Sequence, residues 1–94
     1  MREIINHFGK EAQLKKAKEE LNELIEAIDS KKPDNVLDEV ADCIIMIKQV
    51  QIMFNLSNEQ IDERIDFKMN RTKQRILDEV KNGKVIEVKQ EGAK

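Results

Sequence analysis

The run Cys43-Ile44-Ile45-Met46-Ile47, followed by Val50, Ile52, Met53 and Phe54, limits what this chain can become more than any other feature. At about 100° per residue, these side chains surround a helical axis instead of lining one side of it. A helix that is apolar all round is buried on every side. The rest of the chain offers only two other long helical segments. The expectation is therefore all-α, an antiparallel helical bundle completed by oligomerisation, with this helix at its centre.

The first long helix is predicted over Lys10–Asp29, with a short helical lead at Arg2–Phe8 broken near Gly9. Leu14, Ala17, Leu21, Leu24 and Ile28 alternate spacings of three and four, the pattern of a helix packed on other helices, and Ile25 widens the stripe. Ser30-Lys31-Lys32-Pro33-Asp34 reads as a turn, since proline starts a helix but does not continue one. The second helix is predicted over Asn35–Asn55, with Asn35 as a cap near its start. Ser57-Asn58-Glu59-Gln60 matches a capping box and opens a third helix that carries Ile61, Ile65, Met69, Ile76 and Val80 on one face. Gly83 is its expected stop. Residues 1–83 thus form one all-α domain. In the extension 84–94, Lys84–Lys89 alternates as a short strand would and the last five residues read as a frayed tail.

With 94 residues and three aromatic side chains, Phe8, Phe54 and Phe67, the core has to be aliphatic. The net charge of −2 lacks the basic excess of a nucleic-acid binder, so no nucleic-acid partner is expected. No signal-peptide pattern opens the chain, and no run approaches the roughly 20 apolar residues of a membrane span. A cytoplasmic protein without a membrane partner is the expectation. The single cysteine excludes an intrachain disulfide, and the single histidine, His7, excludes a histidine-based metal cluster or serine triad. Cys43 and the methionines read as packing, His7 as a helix-end or interface residue, and the three phenylalanines as core or interface.

Two acidic pairs carry the functional signal. Glu20 and Glu23 lie three apart in the first long helix, and Glu39 and Asp42 lie three apart in the second. That spacing turns both members of a pair to one helix face. A short turn makes the helices antiparallel neighbours, so both pairs can face one cleft. Asp42 falls on the side of Ile45, Met46 and Met53, and a carboxylate among apolar groups either protonates or finds a cation. Four carboxylates without histidine or thiolate suit Mg²⁺ or Mn²⁺ better than zinc. The alternative is a solvated face with ordinary ion pairs, for which Lys15 and Lys16 are available one turn before Glu19 and Glu20.

Glu19-Glu20-Leu21-Asn22-Glu23 followed by Glu39-Val40-Ala41-Asp42 resembles the E-E-x-x-E … E-x-x-D signature of the MazG-like all-α nucleoside triphosphate pyrophosphohydrolases. The likeness extends over roughly residues 4–77 and takes in His7-Phe8-Gly9, Gln13, Leu24–Ile28 and the basic stretch from Lys68 to Ile76. It implies a bundle that dimerises or tetramerises, Mg²⁺ held by acids (with Mn²⁺ as a possible substitute), and cleavage between the α and β phosphates of a nucleoside triphosphate. Carried over, Glu20, Glu23, Glu39 and Asp42 match the metal ligands. Glu19 matches the first glutamate and would orient a ligand or a water. Asn22 departs from the pattern, standing where many members have glycine.

Arg64, Lys68, Arg71 and Arg75, spaced four, three and four, form a cationic stripe beside the apolar face of the third helix. The plain reading is a solvated flank or ion pairs with a partner subunit. The functional reading is a clamp on phosphate by charge-assisted hydrogen bonds, for which the resemblance favours Lys68 and Arg71. A glycine-rich phosphate loop is missing. Two other readings compete with catalysis: a helical interaction module, and a nucleotide sensor that binds without turnover.

Overall fold

A computed structural model describes residues 1–83 and contains four helices, with no strand among the described residues: α1 (Arg2–Phe8), α2 (Lys10–Ser30), α3 (Pro33–Met53) and α4 (Asn58–Lys81). The expected strand at Lys84–Lys89 lies outside the described residues. The chain divides into two units, Met1–Ser57 and Asn58–Lys94.

Gly9 separates α1 from α2 by serving both. Its N–H donates to the Ile5 carbonyl at 2.7 Å, and its carbonyl accepts from the Gln13 N–H at 3.1 Å. With φ 93° and ψ 152°, it occupies a conformation that is essentially glycine's alone. The α2–α3 turn is shorter than expected. Lys31 takes the left-handed conformation (φ 59°), and Pro33 already stands in the first turn of α3. Proline at that position lacks only an N–H that would have no helical partner. Asn35 is consequently not a cap; Lys32 occupies that position without a side-chain bond. Ser30 closes the end of α2, its hydroxyl donating to the Ala27 carbonyl at 2.6 Å and accepting from the Lys32 N–H at 3.2 Å. At the end of α3, Asn55 is left-handed (φ 57°). The Asn55 and Leu56 N–H groups donate to the Ile52 and Gln51 carbonyls, a Schellman closure with asparagine in the usual glycine place.

In the first unit α2 packs along α3, and α1 packs against both. A two-residue turn between two 21-residue helices leaves them only the antiparallel arrangement. The buried side chains on α2 are Gln13, Ala17, Glu20 and Ala27; on α3 they are Cys43, Met46 and Gln49; α1 contributes Ile5. This corrects the predicted seam of α2. Ala17 belongs to it and Leu14 and Leu24 are half-buried, but Leu21, Ile25 and Ile28 are exposed. Small alanines at 17 and 27 bring the two backbones close, and the larger aliphatics lie roughly a quarter-turn away. Nor is α3 surrounded within one chain: Leu37, Ile44, Ile45 and Ile47 are exposed. Phe8, Phe54 and Phe67, expected in the core or an interface, are each about 60% exposed.

Two amides occupy the seam. Gln13 Nε2 donates to Gln49 Oε1 at 2.6 Å, and Gln49 is only 1% exposed. Removing one partner strands the other without water, whereas exchanging both for apolar groups of similar shape is close to neutral. Gln49→Ala is expected to cost about 2–4 kcal/mol in chemical denaturation. The pair Gln13→Leu with Gln49→Leu should recover most of that loss; a double variant as unstable as the single one would contradict the pairing.

In the second unit, α4 buries none of its own residues. It begins at Asn58, directly after Ser57, as the capping pattern predicts. Gly83 (φ 78°) follows it, its N–H donating to the Val80 carbonyl at 3.1 Å. Ile65, Met69, Ile76 and Val80 share one exposed face.

Candidate metal centre

Glu20, Glu23 and Glu39 each bring one carboxylate oxygen into a cluster in which the three atoms all lie within 4.8 Å of one another. The seam explains how. Glu20 lies within it on α2, Glu23 follows one turn later at its edge, and Glu39 approaches from α3 one turn before the buried Cys43. Glu20 is 6% exposed. Its Oε2 lies 3.1 Å from Lys16 Nζ, its backbone carbonyl accepts from the Cys43 thiol at 3.3 Å, and its Oε1 has no partner. Glu39 Oε1 is likewise buried and unpartnered.

Such an arrangement is unfavourable by itself. A buried polar atom without a hydrogen bond costs roughly 1–3 kcal/mol, more when charged, and neighbouring carboxylates repel one another. Glu39 registers this strain. Loss of solvation, then the charges of Glu23, Glu20 and Asp42, raise its pKa above the usual 4.5. Burial, and then the same acids, pushes the Cys43 thiol up as well, so it stays protonated and inert as expected. A hard divalent cation removes the repulsion and supplies the missing partner. Oxygens on one magnesium ion are separated by at most roughly twice the ~2.1 Å metal–oxygen distance. The trio therefore fits after small side-chain rotations, and its all-oxygen donor set suits Mg²⁺ or Mn²⁺.

Asp42 is placed differently from its expectation. It is exposed and outside the trio, although its charge reaches Glu39. Asp42 shares the side of α3 that carries the buried Met46 and Gln49 one and two turns later, yet at its own level along the helix nothing covers it. The buried acid is Glu20 instead. Glu19 is exposed and, with Lys16, lines a cavity of about 530 Å³ that Phe8, Gln13 and Met46 also border. Glu23 and Glu39 open on another of about 410 Å³, lined further by Glu26, Ser30, Asn35 and Asp38. Glu26 reaches that cavity from one turn after Glu23, and Asp38 from the position before Glu39.

The cationic stripe belongs to α4. Arg64, Lys68, Arg71 and Arg75 are all exposed, and none of the four pairs with an acid among the described residues. Arg71 lies over the Phe67 ring at 5.7 Å, a cation–π contact on the same helix.

A pH dependence follows from Glu39. Because its pKa is raised in the folded chain, ionisation takes away stability as pH rises from 4.5 through the folded value. The metal-free protein should gain thermal stability on acidification from pH 7 into that window. A cation needs the carboxylate ionised, so Mn²⁺ affinity should fall over the same window, with protons released on binding. Thermal melts with and without Mn²⁺ between pH 5 and 8 check both trends, and a stabilisation by Mn²⁺ that does not shrink toward pH 5 would contradict them.

The model of the MazG nucleotide pyrophosphohydrolase domain matches residues 8–82. No curated protein and no solved structure matches the chain. The matched span takes in all of α2, α3 and α4 and each acid of the trio, and on that ground the chain belongs to the MazG nucleotide pyrophosphohydrolase domain family.

Proposed function

We propose that this chain hydrolyses nucleoside or deoxynucleoside triphosphates to the monophosphate and pyrophosphate, with Mg²⁺ held by Glu20, Glu23, Glu39 and Asp42 and with Mn²⁺ as a substitute. One observation carries the reading: the Glu20 carboxylate, buried and with one oxygen unpartnered, clusters with Glu23 and Glu39, one oxygen from each of the three lying within 4.8 Å of the others. A purely structural helical module has no use for that, since the same position filled by an apolar residue would be more stable. Asp42, one helical turn beyond Glu39, is the fourth ligand in this scheme.

When bound, the ion supplies charge for the phosphate oxygens and acidifies a water. The chain's own groups do the rest. Glu19, exposed and next to Glu20 in the chain, is assigned to orient a water and accept its proton. Lys68 and Arg71, with Arg64 and Arg75 on the same stripe, are assigned to phosphate, because a triphosphate carries more charge than one ion offsets. Lys68→Ala is expected to raise KM for triphosphate about tenfold, an effect of the size of one lost charge-assisted bond, without lowering thermal stability.

The working form in this reading is a homodimer or homotetramer. The exposed Leu21, Ile25 and Ile28 of α2 and Val40, Ile44 and Ile47 of α3 support it, as does the open apolar face of α4. Pyrophosphate release measured over the common and deoxy triphosphates, with Mg²⁺ and with EDTA, tests the activity. Equimolar monophosphate and pyrophosphate is the expected product pair. Release of orthophosphate, or turnover that persists in EDTA, would refute the scheme.

A further inference from the structure

Lys16 is the single cation touching the acidic trio among the described residues, and it holds only half of the buried carboxylate. Its Nζ lies 3.1 Å from Glu20 Oε2, one turn along α2, while Glu20 Oε1 stays unpartnered. The Lys16 side chain is 52% exposed, although its partner is only 7% exposed. Its long stem therefore lies along the surface with the head turned in. Its other neighbourhood is the cavity of about 530 Å³, which it lines together with Lys15 and Glu19. One ammonium group offsets one of at least three converging carboxylates and leaves the site strongly negative.

A divalent ion on Glu20 would stand within several ångströms of that ammonium, and two cations at such range repel. The lysine is the mobile one, because its head has open space on the cavity side. We propose that Lys16 is a displaceable counter-ion: it holds Glu20 until a divalent cation takes that carboxylate, then turns into the adjoining cavity and contacts the triphosphate. This rests on the metal-binding reading above and adds to it a positioning residue with two successive partners. An exposed lysine that merely steadied α2 would hold the same pose in both states.

The two roles give opposite signs, which makes the idea testable without turnover. The full chain, Lys16→Met and Lys16→Gln are titrated calorimetrically, first with Mn²⁺ alone and then with the Mn²⁺ complex of inorganic tripolyphosphate. Both substitutions keep a stem of similar length and a good helix former. Mn²⁺ alone is expected to bind about tenfold tighter to the variants, since no resident cation has to leave. The tripolyphosphate complex is expected to bind about fivefold more weakly, since one charge-assisted contact is lost. Equal Mn²⁺ affinities, or both affinities weakened together, would overturn the displacement while leaving the metal site intact. An unchanged affinity for the tripolyphosphate complex would overturn the second partner. A wild-type chain that takes up no Mn²⁺ would remove the inference together with the reading it rests on.

Discussion

Glu20→Gln and Glu39→Gln should each lower the rate of pyrophosphate release by about 10³-fold or more, equivalent to ~4 kcal/mol of transition-state stabilisation. Both substitutions keep shape and remove a negative charge, so the helices should persist. The effect on stability is the sharper part. Glu39 sits where Glu23, Glu20 and Asp42 oppose its ionisation. Glu39→Gln should therefore melt at or above the wild-type temperature in EDTA, yet lose the rise in melting temperature that Mn²⁺ gives the wild type. An acid kept only for helix stability would behave the other way, with a lower melting temperature and activity reduced in proportion to unfolding. Asp42→Asn belongs to the same series. Its exposed position makes its loss of activity the most informative, because no packing defect can account for it.

The second large effect concerns the aliphatic surface. Leu21, Ile25 and Ile28 on α2 and Val40, Ile44 and Ile47 on α3 lie on the flank of the hairpin away from Glu19, Glu26, Asp38 and Asp42, as helical spacing about the buried seam requires. Burying one such side chain contributes about 1.5–3 kcal/mol. In a two-fold interface every substitution acts twice. Ile44→Asp places a charge where desolvation would be severe, so it should dissociate the assembly by more than about 10³-fold in Kd. The expected product is a chain of 11.0 kDa in sedimentation at micromolar concentration, with a lower melting temperature and reduced turnover. A wild-type chain that sediments as a monomer under the same conditions would contradict the oligomer directly.

How much of this is legible from the residues follows from the physics of each element. The long helices, the break at Gly9 and the start after Ser57 are local, set by proline, glycine and apolar periodicity, and they were readable to within a few residues. The approach of Glu20, Glu23 and Glu39 was readable too, because two i,i+3 pairs on antiparallel neighbours leave few other arrangements. The choice of face was not. Helix α2 carries two stripes of helical period, one of Leu21, Ile25 and Ile28 and one of Gln13, Ala17, Glu20 and Ala27. Hydrophobicity alone favours the first as the intrachain seam. Close approach through alanine, and an amide pair that satisfies itself, put the second there instead. Neither effect belongs to any single residue, since each depends on what the opposite helix presents.

The claim beneath the rest is that Glu20, Glu23 and Glu39 take one divalent cation between them. Crystals grown with Mn²⁺ and measured near its absorption edge test that without reference to activity. The expected result is an anomalous peak bound by oxygens of all three side chains, at distances of roughly 2.0–2.6 Å, with Glu20 Oε1 among its ligands. A map at full Mn²⁺ concentration with no peak between α2 and α3, and Lys16 still on Glu20, would contradict it.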